Sequence, residues 1–239
     1  MSSGSAVRVR TADGAMPAYR SAPFAVVRGG IVVIQEAFGI TRHIEEIVER
    51  LAEAGHMALA PALFHRVNSP VFEYDDIDSA RQAMSSLTPE GLDMDISSVL
   101  ALFRAEGLPP RRCAVIGFCM GGSVALAAAA ARPLGAAVSF YGGGVLDGRF
   151  GLPPLVELAP TLQTPWLGLY GDLDKGIPVE QVEALRGAAA KSDVVTEVVR
   201  YPDADHGFHC DDRPAVFQPA AAADAWQRTL AWLDTHLVM

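Results

Sequence analysis

The stretch AVIGFCMGGSVALAAAAA, from Ala114 to Ala131, decides the fold. It begins with the apolar, β-branched residues of a buried strand and ends with small residues that favour a helix. Glycines surround the cysteine between them, with Gly117 two residues before Cys119 and Gly121 two residues after it. A sharp turn from a strand into a helix needs glycines there, because side chains at those positions would collide. We therefore predict a strand, a tight turn that carries Cys119, and a helix that starts close to the sheet.

The same alternation of strands and helices extends on both sides of this turn. Further strands are predicted at residues 29–39, 56–64, 135–143, 165–174 and 194–202, after a leading hairpin at 6–20. Helices are predicted at residues 42–55, at 77–103 with a break at 88–89, at 122–131 and at 220–236. The proline-rich segment 151–160 is predicted to cross the surface as a loop. This alternation predicts an α/β fold with a mostly parallel central sheet flanked by helices on both faces. A chain of 239 residues fits a single α/β domain, residues 1–239.

The charge and the cysteine content of the chain limit the binding partners and the cellular compartment that we expect. The chain has 19 Lys and Arg against 28 Asp and Glu, a net charge of -9, with no cationic cluster. We therefore do not expect a surface that binds nucleic acids or anionic membranes. The amino-terminal segment lacks the apolar core of a signal peptide, and the three cysteines match neither a disulfide scaffold nor a repeated CxxC zinc site. We expect a cytoplasmic protein that is a monomer or a weak homodimer.

The chemistry predicted at the turn is nucleophilic catalysis. A thiol at the carboxyl end of a strand, beside the amino terminus of a helix, is favoured as the thiolate. Asp172 and Asp174 follow a later strand, and His206 follows the next one. The order nucleophile, acid, base is that of a hydrolase triad, in which the histidine is the general base. Spacing alone does not choose between Asp172 and Asp174.

Four motifs together resemble the dienelactone hydrolase family of the α/β-hydrolase superfamily. They are QEAFG at 35–39, GFCMGG at 117–122, GDLD at 171–174 with the IP pair at 177–178, and HGF at 206–208. The resemblance implies an α/β-hydrolase fold. It also implies hydrolysis of a small ester or lactone through a triad of Cys119, His206 and Asp174, with an acyl-cysteine intermediate and without a metal or other cofactor.

The resemblance also implies roles for residues around the thiol. Asp174 is the acid, since the family's acid stands four residues before the proline that follows this strand. Glu36 lies beside the thiol and keeps it protonated until substrate binding displaces the carboxylate. A nearby carboxylate disfavours a thiolate, so this role is physically consistent. The backbone N–H groups of Ala37 and Met120 form the oxyanion hole.

This sequence differs from the family at the residues that bind the substrate. Members of the founding type hold a substrate carboxylate with arginines, and the arginine four residues after the histidine is here Cys210. Candidate substrate-binding residues are Arg66, Arg81 and Arg213 for a carboxylate and Phe38 and Tyr141 for the pocket wall. A buried carboxylate needs a paired charge, so a pocket without an arginine would suit neutral esters.

Three alternatives remain open from the sequence. The first is a carboxylesterase that acts on neutral small esters with the same triad. The second is a non-catalytic binding protein on this scaffold, since a fold does not fix a function. The third is a redox or zinc site built from Cys210, His206 and His209.

Overall fold

The structure, a computed structural model, describes residues 4–237 and contains one twisted sheet. Its strands are β1 (Ser5–Thr11), β2 (Gly14–Ser21), β3 (Gly30–Ile34), β4 (Met57–Pro61), β5 (Cys113–Phe118), β6 (Ala136–Phe140), β7 (Trp166–Gly171) and β8 (Thr196–Tyr201). They lie in the order β1-β2-β4-β3-β5-β6-β7-β8. The β1/β2 and β2/β4 pairs are antiparallel and all the other pairs are parallel. The predicted leading hairpin and mostly parallel sheet are confirmed.

Helices cover the sheet in two groups. They are α1 (Arg42–Glu53), α2 (Ile77–Met84), α3 (Pro89–Ala105), α4 (Met120–Ala131), α5 (Leu155–Leu158), α6 (Val179–Ala189) and α7 (Pro219–His236). Helices α1 and α7 meet where the Arg50 guanidinium lies 4.0 Å from the centre of the Trp226 ring, and α3 to α6 contact one another in chain order. The central strands β3 to β7 are buried at every residue, as expected for a sheet covered on both faces. Within residues 4–237, no helix has the length and apolar character required to cross a membrane.

The helices agree with the prediction at the break near residue 88 and differ from it elsewhere, and α6 (Val179–Ala189) was not predicted at all. Helix α4 begins at Met120, two residues earlier than predicted, because it starts directly after the turn. The predicted break at 88–89 separates α2 from α3, where the Thr88 side chain accepts a hydrogen bond from the Gly91 N–H and Pro89 occupies the first helical turn. The segment 151–160, predicted to be a surface loop, contains the short helix α5.

The topology brings distant parts of the sequence to one edge of the sheet. Strands β3, β5, β6, β7 and β8 are parallel neighbours, so their carboxyl ends lie along the same edge. The segments that carry Glu36, Cys119, Asp174 and His206 each follow one of these strands. Ligands of open α/β sheets bind at this edge.

Candidate active site

The turn at Cys119 has a backbone conformation that non-glycine residues rarely adopt. Cys119 has φ 55° and ψ -117°, and its N–H donates to the carbonyl oxygen of Phe140 over 3.1 Å. A Cβ at Gly117 would overlap the carbonyl oxygen of Gly121, and a Cβ at Gly121 would lie 2.5 Å from the carbonyl oxygen of Ile34. Glycine is therefore required at both positions. The Cys119 side chain is half-buried at the amino terminus of α4.

His206 and Asp174 form a hydrogen-bonded pair. Nδ1 of His206 lies 2.6 Å from Oδ2 of Asp174, while Oδ1 accepts from the N–H groups of Gly176 (2.8 Å) and Ile177 (3.2 Å). Both carboxylate oxygens are thereby fixed. Burial lowers the pKa of His206, but the charge of the Cys119 thiolate and the hydrogen bonds to Asp174 and Cys119 outweigh it and raise the pKa to about 10. The surroundings therefore favour a charged imidazolium.

Asp172, the second acid left open by the spacing, is bound elsewhere. Nε and Nη2 of Arg200 each lie 2.7 Å from one of its two oxygens. This two-pronged ion pair occupies the carboxylate. The geometry thus separates Asp174, which reaches the histidine, from Asp172, which does not.

Cys119 and His206 face the same small cleft, which has a volume of about 100 Å³. Ala37 and Met120, the two predicted oxyanion-hole residues, also line it. The remaining lining residues are Met84, Ser123, Gly143, Arg149, Phe150, Gly176 and Ile177. A thiol and an imidazole that line one cavity with the two predicted oxyanion-hole residues are an arrangement that suits acyl transfer.

Glu36 lies immediately before Ala37 and is fully buried. Within the described residues, neither of its carboxylate oxygens has a hydrogen-bond partner. Burial, and then the charge of Glu36, raise the pKa of Cys210 to about 12 and that of Tyr141 well above its usual value. Glu36 therefore lies close to these side chains, behind the cleft, and its predicted contact with Cys119 stays a prediction.

Arg66 is bound away from the cleft. Its Nη1 and Nη2 donate to the two oxygens of Asp95 over 2.8 and 2.9 Å, and its Nε donates to Asp13 over 2.7 Å. His65 also contacts Asp95, at 3.1 Å. With its donors bound to carboxylates of the protein, Arg66 is not placed to hold a substrate.

The other two predicted arginines lie near the cleft without lining it. Arg81 is exposed, and its Nη1 lies 3.5 Å from Asp78. The guanidinium of Arg213 lies 5.4 Å from the centre of the Tyr74 ring and 5.9 Å from that of Phe38. Among the residues that line the cleft in the described part of the chain, the arginine is instead Arg149, which the sequence patterns did not single out.

The two predicted aromatic residues lie behind the cleft wall. Phe38 packs edge-on against Tyr74, with ring centres 4.9 Å apart. Tyr141 is fully buried, and its ring centre lies 5.0 Å from that of His206. Neither is a lining residue of the cleft. Tyr141 instead packs beside the imidazole and limits its movement.

The alternative of a zinc site does not match the arrangement of its proposed ligands. The thiol of Cys210 lies 3.3 Å from the Tyr74 hydroxyl, and His209 packs among aromatic rings. Within residues 4–237, the group of three potential ligands that lie together is Asp13, His65 and Asp95. Arg66 already binds both carboxylates of that group. The three residues of the alternative are thus not gathered around a common point.

Comparison with known proteins places this geometry in a family. The family model described as dienelactone hydrolase family matches residues 16–237. A protein of Escherichia coli (strain K12), provisionally named a carboxymethylenebutenolidase, is 37% identical over 230 residues, which cover 92% of this chain and 83% of that protein. The carboxymethylenebutenolidase of Rhodococcus opacus is 29% identical over 214 residues, covering 87% and 82%.

A solved structure agrees over nearly the whole chain. The crystal structure of a protein from Klebsiella pneumoniae subsp. pneumoniae MGH 78578, provisionally described as a dienelactone hydrolase, superimposes with a TM-score of 0.88 at 34% identity. The match covers 97% of this chain and 98% of that one. The chain therefore has the α/β-hydrolase fold and belongs to the dienelactone hydrolase family.

Proposed function

We propose that the protein hydrolyses small carboxylic esters or lactones and that Cys119 is the nucleophile. The observation that carries this proposal is that Cys119, in its strained turn, and His206, bonded to Asp174, line one cleft. Membership of a family of lactone hydrolases supports the reaction class. Dienelactone is the lactone that the names of the family and of the relatives suggest as a substrate.

The first half of the proposed cycle acylates the cysteine. The Cys119 thiolate attacks the ester carbonyl carbon, and the electron pair of the carbonyl moves onto its oxygen. The backbone N–H groups of Ala37 and Met120 stabilise this oxyanion. When the carbonyl re-forms, the bond to the alcohol oxygen breaks and the His206 imidazolium protonates that oxygen. The elevated pKa of His206 supplies the proton at neutral pH.

The second half releases the acid. Neutral His206 takes a proton from a water molecule, whose oxygen attacks the acyl-cysteine carbonyl. The carbon–sulfur bond then breaks, and the thiolate and the imidazolium are restored. Asp174 holds Nδ1 of His206 throughout and stabilises its positive charge. Glu36 acts before this cycle: its charge disfavours the thiolate until substrate is bound, and the proton of the Cys119 thiol then passes to His206 to form the thiolate and the imidazolium.

The test compares wild type with Cys119→Ala on dienelactone and on p-nitrophenyl acetate. We expect kcat/KM to fall at least about a thousandfold in the variant, because the nucleophile is lost. Cys113→Ala is the matched control, since Cys113 is a buried cysteine on β5 outside the cleft. Equal measurable rates for wild type and Cys119→Ala would contradict the proposed nucleophile, whereas no turnover of either ester by wild type would favour a non-catalytic binding protein.

A second candidate is a carboxylesterase for neutral esters, with the same mechanism. It is favoured by the position of Arg66, Arg81 and Arg213, which do not line the cleft. Turnover of p-nitrophenyl acetate without turnover of dienelactone, both measured as initial rates, would support this candidate. Turnover of dienelactone would require that Arg149, the arginine that lines the cleft, pairs with its carboxylate.

A further inference from the structure

Arg149 is a cation at the edge of the cleft and follows strand β6. Its guanidinium lies over Gly143, because a Cβ built on that glycine would be 3.4 Å from its Cζ and Nη1. The carbonyl of Gly143 accepts a hydrogen bond of 2.7 Å from Ser123, which lies on the first turns of α4 after Cys119. Arg149, Ser123 and Cys119 line the same cleft. The guanidinium is therefore carried on the cleft wall beside the nucleophile.

The charge of Arg149 has no partner within the protein, as far as residues 4–237 are described. No carboxylate in that part of the chain lies within ion-pair distance of it, and its side chain makes no hydrogen bond there. Arg66, by contrast, is paired with two carboxylates. Arg149 is exposed at the cleft, and a guanidinium there without an ion-pair partner is available to an anion that enters the cleft.

The backbone around Arg149 is held in a fixed turn. The N–H of Leu152 donates to the carbonyl oxygen of Arg149 over 2.8 Å, and Phe150 has φ 56°. A Cβ on the next residue, Gly151, would lie 2.9 Å from Pro89 at the start of α3. The turn is thus packed against α3, which reduces the entropy lost when Arg149 binds a ligand.

A second cavity lies next to Arg149. It adjoins the cleft, since Met84, Arg149 and Phe150 line both. Arg81 also lines this second cavity. Methylene groups that extend from an ester bound at Cys119 would contact Met84 and Phe150, while an anionic end would reach the guanidinium.

We infer that Arg149 is a specificity residue that binds a carboxylate several bonds away from the ester carbonyl, so that linear esters with a terminal carboxylate are substrates. This inference rests on the proposed function, because it places the ester carbonyl at Cys119. A planar guanidinium binds a carboxylate through two parallel hydrogen bonds, which fixes the orientation of the substrate as well as its affinity.

The test uses pairs of substrates that differ in one charge. They are the p-nitrophenyl half-esters of adipic and of pimelic acid, each paired with the same compound bearing a methylated carboxyl group. The measured quantity is the ratio of kcat/KM for the charged ester to that for its neutral partner. Arg149→Gln should lower this ratio about tenfold, and Arg149→Lys, which keeps the charge without the planar fork, should lower it less.

The control removes the same charge at a distance. Arg10 is an exposed residue of the edge strand β1, and Arg10→Gln should leave the ratio unchanged. An unchanged ratio in Arg149→Gln would overturn the inference. An equal fall in Arg10→Gln would also overturn it, because the effect would then come from net charge and not from contact with Arg149.

A binding measurement separates this inference from the proposed function. Monomethyl adipate is titrated calorimetrically into Cys119→Ala and into Cys119→Ala combined with Arg149→Gln. We expect the second protein to bind it about tenfold more weakly. If wild type turned over no ester but this difference persisted, the nucleophile would be wrong and the anion site would stand. Equal binding would overturn the anion site regardless of turnover.

Discussion

Two fully buried carboxylates in this protein, those of Asp95 and Glu36, have opposite surroundings. Asp95, on α3, accepts hydrogen bonds from two nitrogens of Arg66 at 2.8 and 2.9 Å and lies 3.1 Å from Nε2 of His65. Glu36, after β3, has no hydrogen-bond partner for either oxygen within the described residues. Both side chains have an exposed fraction of 0%.

The difference separates a buried carboxylate that connects elements of the fold from one that the fold leaves without a partner. A buried charge is tolerated when it is paired, and Asp95 joins the turn after β4 to α3 through such pairs. Arg66 extends the connection to Asp13 in the β1–β2 turn. An unpaired buried carboxylate destabilises the folded state and persists where function retains it. The position of Glu36 beside the cleft fits that explanation.

The largest effect on stability is expected from breaking the paired carboxylate. Asp95→Ala should lower the free energy of unfolding by about 3–5 kcal/mol, because Arg66 and His65 lose their buried partner. Urea denaturation measures the change. Asp13→Ala is the matched control, since Asp13 contacts the same arginine from an exposed position and its loss should lower the free energy of unfolding far less. Equal small losses would contradict the structural role of Asp95.

A change of opposite sign is expected at the unpaired carboxylate. Glu36→Gln should raise the free energy of unfolding by about 1–2 kcal/mol, because the amide removes a buried charge that has no partner. Asp95→Asn, the same chemical change at the paired site, should lower it. Denaturation of both variants in parallel shows whether the two carboxylates differ as described.

The same Glu36→Gln variant tests the proposed gating of the thiol. Without the carboxylate charge, the thiolate of Cys119 is less disfavoured, so iodoacetamide should alkylate it several-fold faster. Alkylation is followed by mass spectrometry of the peptide that contains Cys119. An unchanged rate would remove the gating role from Glu36 and leave its burial unexplained.

The smallest effect is expected at His56, a third buried group, which like Glu36 has a side-chain atom without a hydrogen-bond partner within the described residues. Burial, and then the charge of Arg28, lowers the pKa of His56 from 6.5 to about 4. The unfolded chain therefore binds a proton before the folded protein does, so stability falls as the pH drops from 6.5 towards 4. His56→Gln should remove about 1 kcal/mol of the loss between pH 7 and pH 5.5. Identical pH profiles for the variant and wild type would contradict this assignment.

The fold and the groups around the thiol were predictable because they depend on local sequence. Glycines on both sides of Cys119 required a tight turn, and apolar runs followed by glycine predicted the parallel strands around it. Parallel strands end at one edge, so the motifs after them had to gather there. The close contact of His206 with Asp174 followed from their positions after neighbouring strands.

The surroundings of Arg66 and Arg149 were not predictable from local sequence patterns. Arg66 is occupied by Asp95, which lies 29 residues away on helix α3. Arg149 lies in a glycine-rich turn without a motif, and its place in the cleft depends on packing against α3. The ion pair of Arg66 and the position of Arg149 both depend on contacts between distant elements. The spacing and periodicity of residues along the sequence do not reveal such contacts.

The order of the strands also has a consequence for how the protein is made. The thiol at position 119 is synthesised well before the acid at 174 and the base at 206, which follow β7 and β8. Chains emerge from the ribosome starting at the amino terminus. The nascent chain therefore carries Cys119 before His206 exists, and the proposed triad is complete only when β7 and β8 have joined the sheet. The proposed active site is therefore assembled only after the last strands of the sheet have been synthesised.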